Sequence, residues 1–243
     1  MPHSRPEILV VLPTYNELAT IGSTVASVRQ HIPDAHILII DDASPDGTGA
    51  AADRIAETLP HVRVHHRAAK LGLGTAYTHG FRIALSEGYR RIVTMDSDGS
   101  HLSSDLPRLL AEANAGAGLV IGARWVPGGR IVNWPLYRRW ISRAGTGFAR
   151  VVLRSRLRDL TSGFRVYDAE WLSVVSLDQL DSEGYAFQVE TAWTLERLAC
   201  PISEIPITFV ERTDGHSKMT LGIVAEAFAN VLRWGWRLRR DQL

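Results

Sequence analysis

HILIIDDASPDGTGAAADRIAETL, His36 to Leu59, contains a strand, a turn and a helix in one pass. HILIID (36–41) reads as a buried strand. Ser44, Pro45, Asp46 and Gly47 supply the turn, with Asp46 placed to cap the helix that follows. Working outward, the same unit recurs. ILVVL (8–12) reads as a strand followed by a helix beginning near Glu17, with Asn16 as its expected cap. VRVHH (62–66), RIVTMD (91–96) and GLVIGAR (118–124) continue the series, with helices predicted over about 73–87 and 104–115. This alternation predicts an α/β domain with a mostly parallel central sheet flanked by helices on both faces. Ligands of such sheets bind beyond the carboxyl ends of the strands.

Composition bounds the function. With 243 residues, 45% of them hydrophobic, the chain can bury one substantial core, and a net charge of +1 gives no reason to expect nucleic acid. The charge is nonetheless uneven. From Gly116 to Arg158 there is no acidic residue, while Arg124, Arg130, Arg138, Arg139, Arg143, Arg150, Arg154, Arg156 and Arg158 all fall there. A block of one sign points to phosphates or an anionic membrane surface; the alternative is a solvated face. The single cysteine, Cys200, excludes an internal disulfide and a clustered-thiol zinc site. The N-terminal apolar run is too short for a signal peptide, and no window approaches the ~18–20 apolar residues of a spanning helix. The expectation is a cytoplasmic protein that is not integral by itself.

The candidate chemistry sits where strands stop. The first strand exits into PTYNE (13–17), a plain turn or, through Tyr15 and Glu17, part of a base pocket. The second exits into DDASPDGT (41–48), where neither Asp41 nor Asp42 is expected to be needed by the turn, so a carboxylate can take up base nitrogens. KLGLGTAY (70–77) is no dinucleotide fingerprint, lacking the third glycine; Lys70 is expected to face a phosphate. RIVTMDSDGSH (91–101) ends in Asp96 and Asp98, which can project to one side and suit Mg²⁺ or Mn²⁺ shared with a diphosphate, with Ser100 and His101 as outer contributors.

PTYNE, DDASPDGT, KLGLGTAY, DSDGSH, GARW and DLTSGFRVY, in this order, resemble the family 2 glycosyltransferases of GT-A (Rossmann-like) fold, and more narrowly the polyprenol (dolichol) phosphate mannosyltransferases. The resemblance spans about residues 7–220. It implies a single GT-A domain over 1–220. It implies that Asp42 contacts the nucleotide base, with Pro13, Tyr15 and Glu17 near it, and that Asp96 and Asp98, with Ser100 beside them, hold the metal. It places Arg124, Arg138 and Ser142 on the lipid phosphate and Asp159 close to the reacting groups; from the residues alone Asp159 serves equally as a turn or cap. Arg138 and Ser142 are four apart on a predicted helix, as are Arg139 and Arg143, and the two pairs are expected to face an anionic group from one side. Arg212 and Lys218, in ERTDGHSKMT (211–220), match a segment that closes over donor phosphates; a polar loop is the alternative.

The implied reaction moves mannose from GDP-mannose to a polyprenyl monophosphate with inversion, and a divalent cation on the diphosphate. UDP-glucose is the alternative donor. A sugar nucleotidyltransferase is a further rival, disfavoured because the first turn lacks a Gly-rich loop, and a non-catalytic nucleotide-binding scaffold is another. The tail over 221–243 reads as an amphipathic basic helix, with Trp234 and Trp236 among arginines. It suits either a membrane surface, a membrane-protein partner, or packing on the domain.

Overall fold

The computed structural model describes residues 7–180, 184, 186–211 and 221–240. The chain runs β1 (Ile8–Thr14), α1 (Ile21–His31), β2 (His36–Asp41), α2 (Thr48–Thr58), β3 (Val62–His66), α3 (Leu73–Ser86), β4 (Arg91–Thr94), α4 (Leu106–Asn114) and β5 (Leu119–Ala123). It continues through β6 (Arg130–Val132), α5 (Leu136–Leu153), β7 (Arg165–Asp168), α6 (Ala169–Ser173), α7 (Ala186–Arg197), β8 (Ile202–Pro206), β9 (Thr208–Val210) and α8 (Leu221–Arg240). Seven strands form one sheet in the order β3-β2-β1-β4-β7-β5-β8, and β6 pairs with β9 in a small parallel ribbon. Only β7 is antiparallel to its neighbours in the large sheet, so the expected mostly parallel α/β architecture is present.

The apolar runs are continuous because both faces of the sheet are covered. Leu9 and Val11 of β1, with Leu38 and Ile40 of β2, face α3, α5, α7 and α8; Val10, Leu12, Ile37 and Ile39 face α1, α2 and α4. Gly80 explains how closely α3 can approach. A Cβ there would lie 2.6 Å from Val11 Cγ1, a stiff β-branched side chain on a central strand. Gly80→Ala is therefore expected to destabilise the fold by about 1–3 kcal/mol, outweighing the helix propensity it gains, as chemical denaturation would measure.

Two predicted details differ. Helix α1 begins four residues later than expected, because Asn16 takes φ 57° and its N–H donates to Ser44 Oγ at 3.1 Å, so it tethers a turn instead of capping. Asp46 does accept the Thr48 N–H at 3.0 Å, but Gly47, at φ 92°, stands between it and the helix. The tail helix α8 packs on the domain: Phe228 meets Phe148 with ring centroids 4.6 Å apart, and Trp234 meets Trp193 at 6.1 Å. Among the described residues no helix is long and apolar enough to cross a membrane.

Histidines pair around β3, with His36 stacked on His61 at 4.5 Å and His65 against His79 at 4.1 Å. Burial first, then the neighbouring imidazole, pushes His36 and His79 below the ordinary histidine value. Folding thus disfavours their charged forms. The stability they support is full above about pH 6.5 and is lost as pH falls through their lowered values. The melting temperature is expected to fall by a few degrees between neutral pH and the region below 6.5, and His36→Gln with His79→Gln should flatten that slope.

Candidate active site

The strand order reverses direction between β1 and β4, and the loops leaving β1, β2, β4 and β5 share one edge of the sheet. That is the switch point where open α/β sheets bind ligands. Ser97 Oγ donates to the Pro13 carbonyl at 2.9 Å, tying the exits of β1 and β4 together. Close by, Lys70 Nζ sits 4.1 Å from the centre of the Tyr15 ring, and the Glu17 N–H donates to Thr48 Oγ1 at 2.9 Å. Asp42 is buried; Arg67 Nη1 lies 2.6 Å from its carboxylate, which also accepts the N–H groups of Leu71 and Gly72 at 3.1 and 2.9 Å. Asp41 departs from expectation, for its carboxylate accepts the Ser44 N–H and hydroxyl at 3.2 and 2.5 Å and so does hold the turn.

Beyond β4, Gly99 takes φ 77°, a conformation that favours glycine, and the turn it forms lets the Ser100 N–H donate to Asp98 Oδ1 at 3.0 Å. Asp96 and Asp98 line one cavity of about 160 Å³ together with Ser100 and His101. The Tyr77 hydroxyl reaches Asp96 Oδ1 at 3.4 Å, and burial together with the Asp96 charge pushes the phenol well above its ordinary value, so it stays a neutral donor. His101 is buried, stacked on Phe164 at 5.0 Å, and its Nδ1 accepts the Asp96 N–H at 3.1 Å. Burial lowers its pKa, which leaves a neutral ring with the proton on Nε2. Among the described residues no three acidic, His or Cys side chains gather as a metal cage. Two carboxylates beside an open cavity still fit Mg²⁺ or Mn²⁺, which take few protein oxygens and complete their shell with water and substrate. A softer ion finds no thiol: Cys200 is buried elsewhere, and burial pushes its pKa up to about 12.

The same cavity also carries cations. Arg124, Arg138 and Ser142 all line it, from the exit of β5 and the first turns of α5. The Arg124 guanidinium lies over the rings of Trp134 and Phe209, 5.8 and 5.4 Å from their centres, and those two rings meet edge to face at 5.3 Å. Arg138 stacks over Trp134 at 4.6 Å and pairs with Glu211 at 2.5 Å. Asp159 is completely buried. It accepts the Arg124 N–H at 2.8 Å, Nε at 2.9 Å and Nη2 at 2.7 Å, and it does not line the cavity. Glu204 in turn accepts the Asp159 N–H at 2.7 Å, and burial raises the Glu204 pKa. Arg165, fully buried, donates to the carbonyls of Leu160 and Ser162 at 2.8 and 2.7 Å and so fixes the loop that presents Asp159.

One cavity therefore joins Asp96, Asp98 and Ser100 to Arg124, Arg138 and Ser142, while Pro13, Tyr15, Glu17, Asp42 and Lys70 form a neighbouring group. Arg212 and Lys218 lie outside the described residues. Arg139 and Arg143 face away from Arg138 and Ser142 into another cavity, contrary to the expected single side, because one residue along a helix is about 100° around it. Sequence reading missed Gln188, 2% exposed and lining the same cavity, with neither amide oxygen nor nitrogen partnered by the described residues. Its place among apolar helix neighbours in AFQVETAW was the available signal.

The model of glycosyl transferase family 2 matches residues 9–175. The undecaprenyl-phosphate mannosyltransferase of Micrococcus luteus is 50% identical over 236 residues, 97% of each chain. The polyprenol monophosphomannose synthase of Mycolicibacterium smegmatis is 44% identical over 96% of this chain and 89% of its own. Among solved structures, glucosyl-3-phosphoglycerate synthase from Mycobacterium tuberculosis, in complex with Mn²⁺, UDP-glucose and phosphoglyceric acid, matches with a TM-score of 0.69 at 21% identity, over 95% of this chain and 80% of its own. That likeness speaks for the fold alone. With the family match spanning most of the chain and the sheet order just described, this protein belongs to glycosyl transferase family 2 and has the GT-A fold.

Proposed function

We propose that the protein transfers mannose from GDP-mannose to the phosphate of a polyprenyl lipid. The observation that carries this reading is the single cavity lined both by two acids, Asp96 and Asp98, and by Arg124, Arg138 and Ser142. It suits a donor diphosphate meeting an acceptor phosphate, and both named relatives are polyprenol-phosphate mannosyl enzymes.

Asp96 and Asp98 would hold Mg²⁺ or Mn²⁺, which when bound supplies positive charge to the departing diphosphate. Asp42, Pro13, Tyr15 and Glu17 receive the base, and Lys70, Arg212 and Lys218 serve the donor phosphates. Arg124, Arg138 and Ser142 orient the acceptor phosphate. With a second pKa of about 6, that phosphate is largely dianionic at neutral pH and needs positioning more than a base. One of its oxygens attacks the anomeric carbon, the bond from that carbon to the diphosphate oxygen breaks, and the electron pair leaves with the nucleoside diphosphate. Displacement from the opposite face inverts the centre, giving a β-linked product from an α-linked donor. Gln188 is placed to meet sugar hydroxyls. The lipid acceptor brings the enzyme to a membrane surface, the cytoplasmic face, directly or through a membrane partner.

Purified protein incubated with labelled GDP-mannose or UDP-glucose, a short polyprenyl phosphate and Mg²⁺ or Mn²⁺ tests this reading. Label is expected in the organic extract from GDP-mannose. Transfer from UDP-glucose alone would replace the donor, and transfer from neither would defeat the reading.

A further inference from the structure

Behind α5 lies a second cavity, of about 930 Å³, whose lining holds five arginines besides Arg124: Arg130, Arg139, Arg143, Arg150 and Arg158. Its lining holds no carboxylate, and none of these five forms an ion pair among the described residues. Like charges gathered without acids repel one another, and an anion relieves that repulsion.

Two further groups point the same way. The Trp125 and Thr146 side chains both line this cavity, and the indole N–H and the hydroxyl they carry are enclosed just beneath it without a hydrogen-bond partner among the described residues. Thr146 is only 3% exposed. Buried polar atoms left unpaired are rare in folded chains, and each calls for an account. The Arg143 guanidinium lies 6.0 Å from the centre of the Trp125 ring, at the edge of cation–π range. Guanidinium forks, an indole N–H and a hydroxyl make a set dominated by donors. Planar forks match phosphate oxygens two at a time, and several of them call for more than one negative charge.

We propose that this cavity is a second anion site, for a phosphate ester or a diphosphate, on another side of α5 from the acceptor-phosphate cavity, with Arg124 lining both. It rests on the cavity itself and does not depend on which sugar is transferred. The same chemistry is carried by the headgroup of an anionic lipid or by a soluble diphosphate. Exposed Tyr137, Trp140 and Val151 lie on α5, the helix that also carries Arg139, Arg143 and Arg150, and offer apolar surface to a lipid.

The full chain is titrated with inorganic pyrophosphate by calorimetry and, separately, floated with phosphatidylcholine vesicles with and without phosphatidylglycerol. Wild type is compared with Arg143→Gln/Arg150→Gln and with Thr146→Val, each checked for folding by circular dichroism. If the double variant does not fold, its two single exchanges take its place. Thr146→Val changes no charge, so it separates a built site from general attraction. Both variants are expected to weaken one probe at least about tenfold. Weakening toward pyrophosphate assigns a soluble ligand, and weakening toward the anionic vesicles assigns a lipid headgroup. Failure of wild type to bind either probe, or a loss confined to one of the two variants, overturns the proposal.

Discussion

Exchanging Asp98 for asparagine is expected to lower sugar transfer about a thousandfold while leaving the fold intact. Asparagine keeps the shape of the side chain, and its amide oxygen can still accept the Ser100 N–H now bonded to Asp98 Oδ1 at 3.0 Å. What it removes is a full negative charge beside Asp96 at the cavity wall. A divalent cation stabilises developing charge on a leaving diphosphate by several kcal/mol, and each 1.36 kcal/mol is tenfold in rate. Asp96→Asn should act in the same sense. Mn²⁺ binding measured by calorimetry with a nucleoside diphosphate present should weaken in parallel, a readout that does not pass through activity. Transfer and Mn²⁺ affinity both within about threefold of wild type would remove Asp98 from the metal site.

The sheet was legible because burial on both faces leaves unbroken apolar runs over 8–12, 37–40 and 119–123, and such runs are hard to mistake. The direction of β7 was not. RVY carries no sign of whether the chain enters the sheet parallel or antiparallel, and the reversal is set by the loop that Arg165 fastens from inside. The ribbon of β6 and β9 escaped for a related reason: each is three residues long, and their pairing joins segments far apart in sequence.

Within the site, the two halves were readable as motifs, while their partners were not. Asp96 and Asp98 stand two residues apart in a recognisable motif, although β4 ends at Thr94 and it is the loop beyond it that brings both to the cavity. Asp42 reads as one of two adjacent acids at a strand end, yet Arg67 and two amides of the 71–72 turn surround it, through contacts 25 to 30 residues away that no local pattern displays. The two sides of α5 show the same limit. Helical spacing gave the pairs Arg138 with Ser142 and Arg139 with Arg143, but which cavity each pair enters depends on what α5 packs against.

The other large effect concerns Asp159, which the family resemblance put close to the reacting groups, with a turn or cap role equally open from the residues alone, and which does not line the cavity. It is fully buried, with three hydrogen bonds from Arg124, and it makes Arg124 a fixed cation at the cavity wall. Asp159→Ala strands a buried guanidinium and is expected to lower stability by about 3–5 kcal/mol. Loss of activity in that variant would therefore say little about chemistry. The informative variant is Arg124→Met/Asp159→Asn. It removes both charges, fills the space, and keeps an acceptor for the backbone N–H of residue 124. Removing a buried pair together is often close to neutral, so stability should return most of the way to wild type. Transfer should not return. If Arg124 receives the acceptor phosphate, the double variant has lost a charge-assisted contact of roughly 1.5–3 kcal/mol, about 10- to 100-fold in kcat/KM for the lipid, with the donor KM little changed. Wild-type turnover in a stable double variant would make the pair a structural tie alone and leave Arg138 and Ser142 to hold the acceptor.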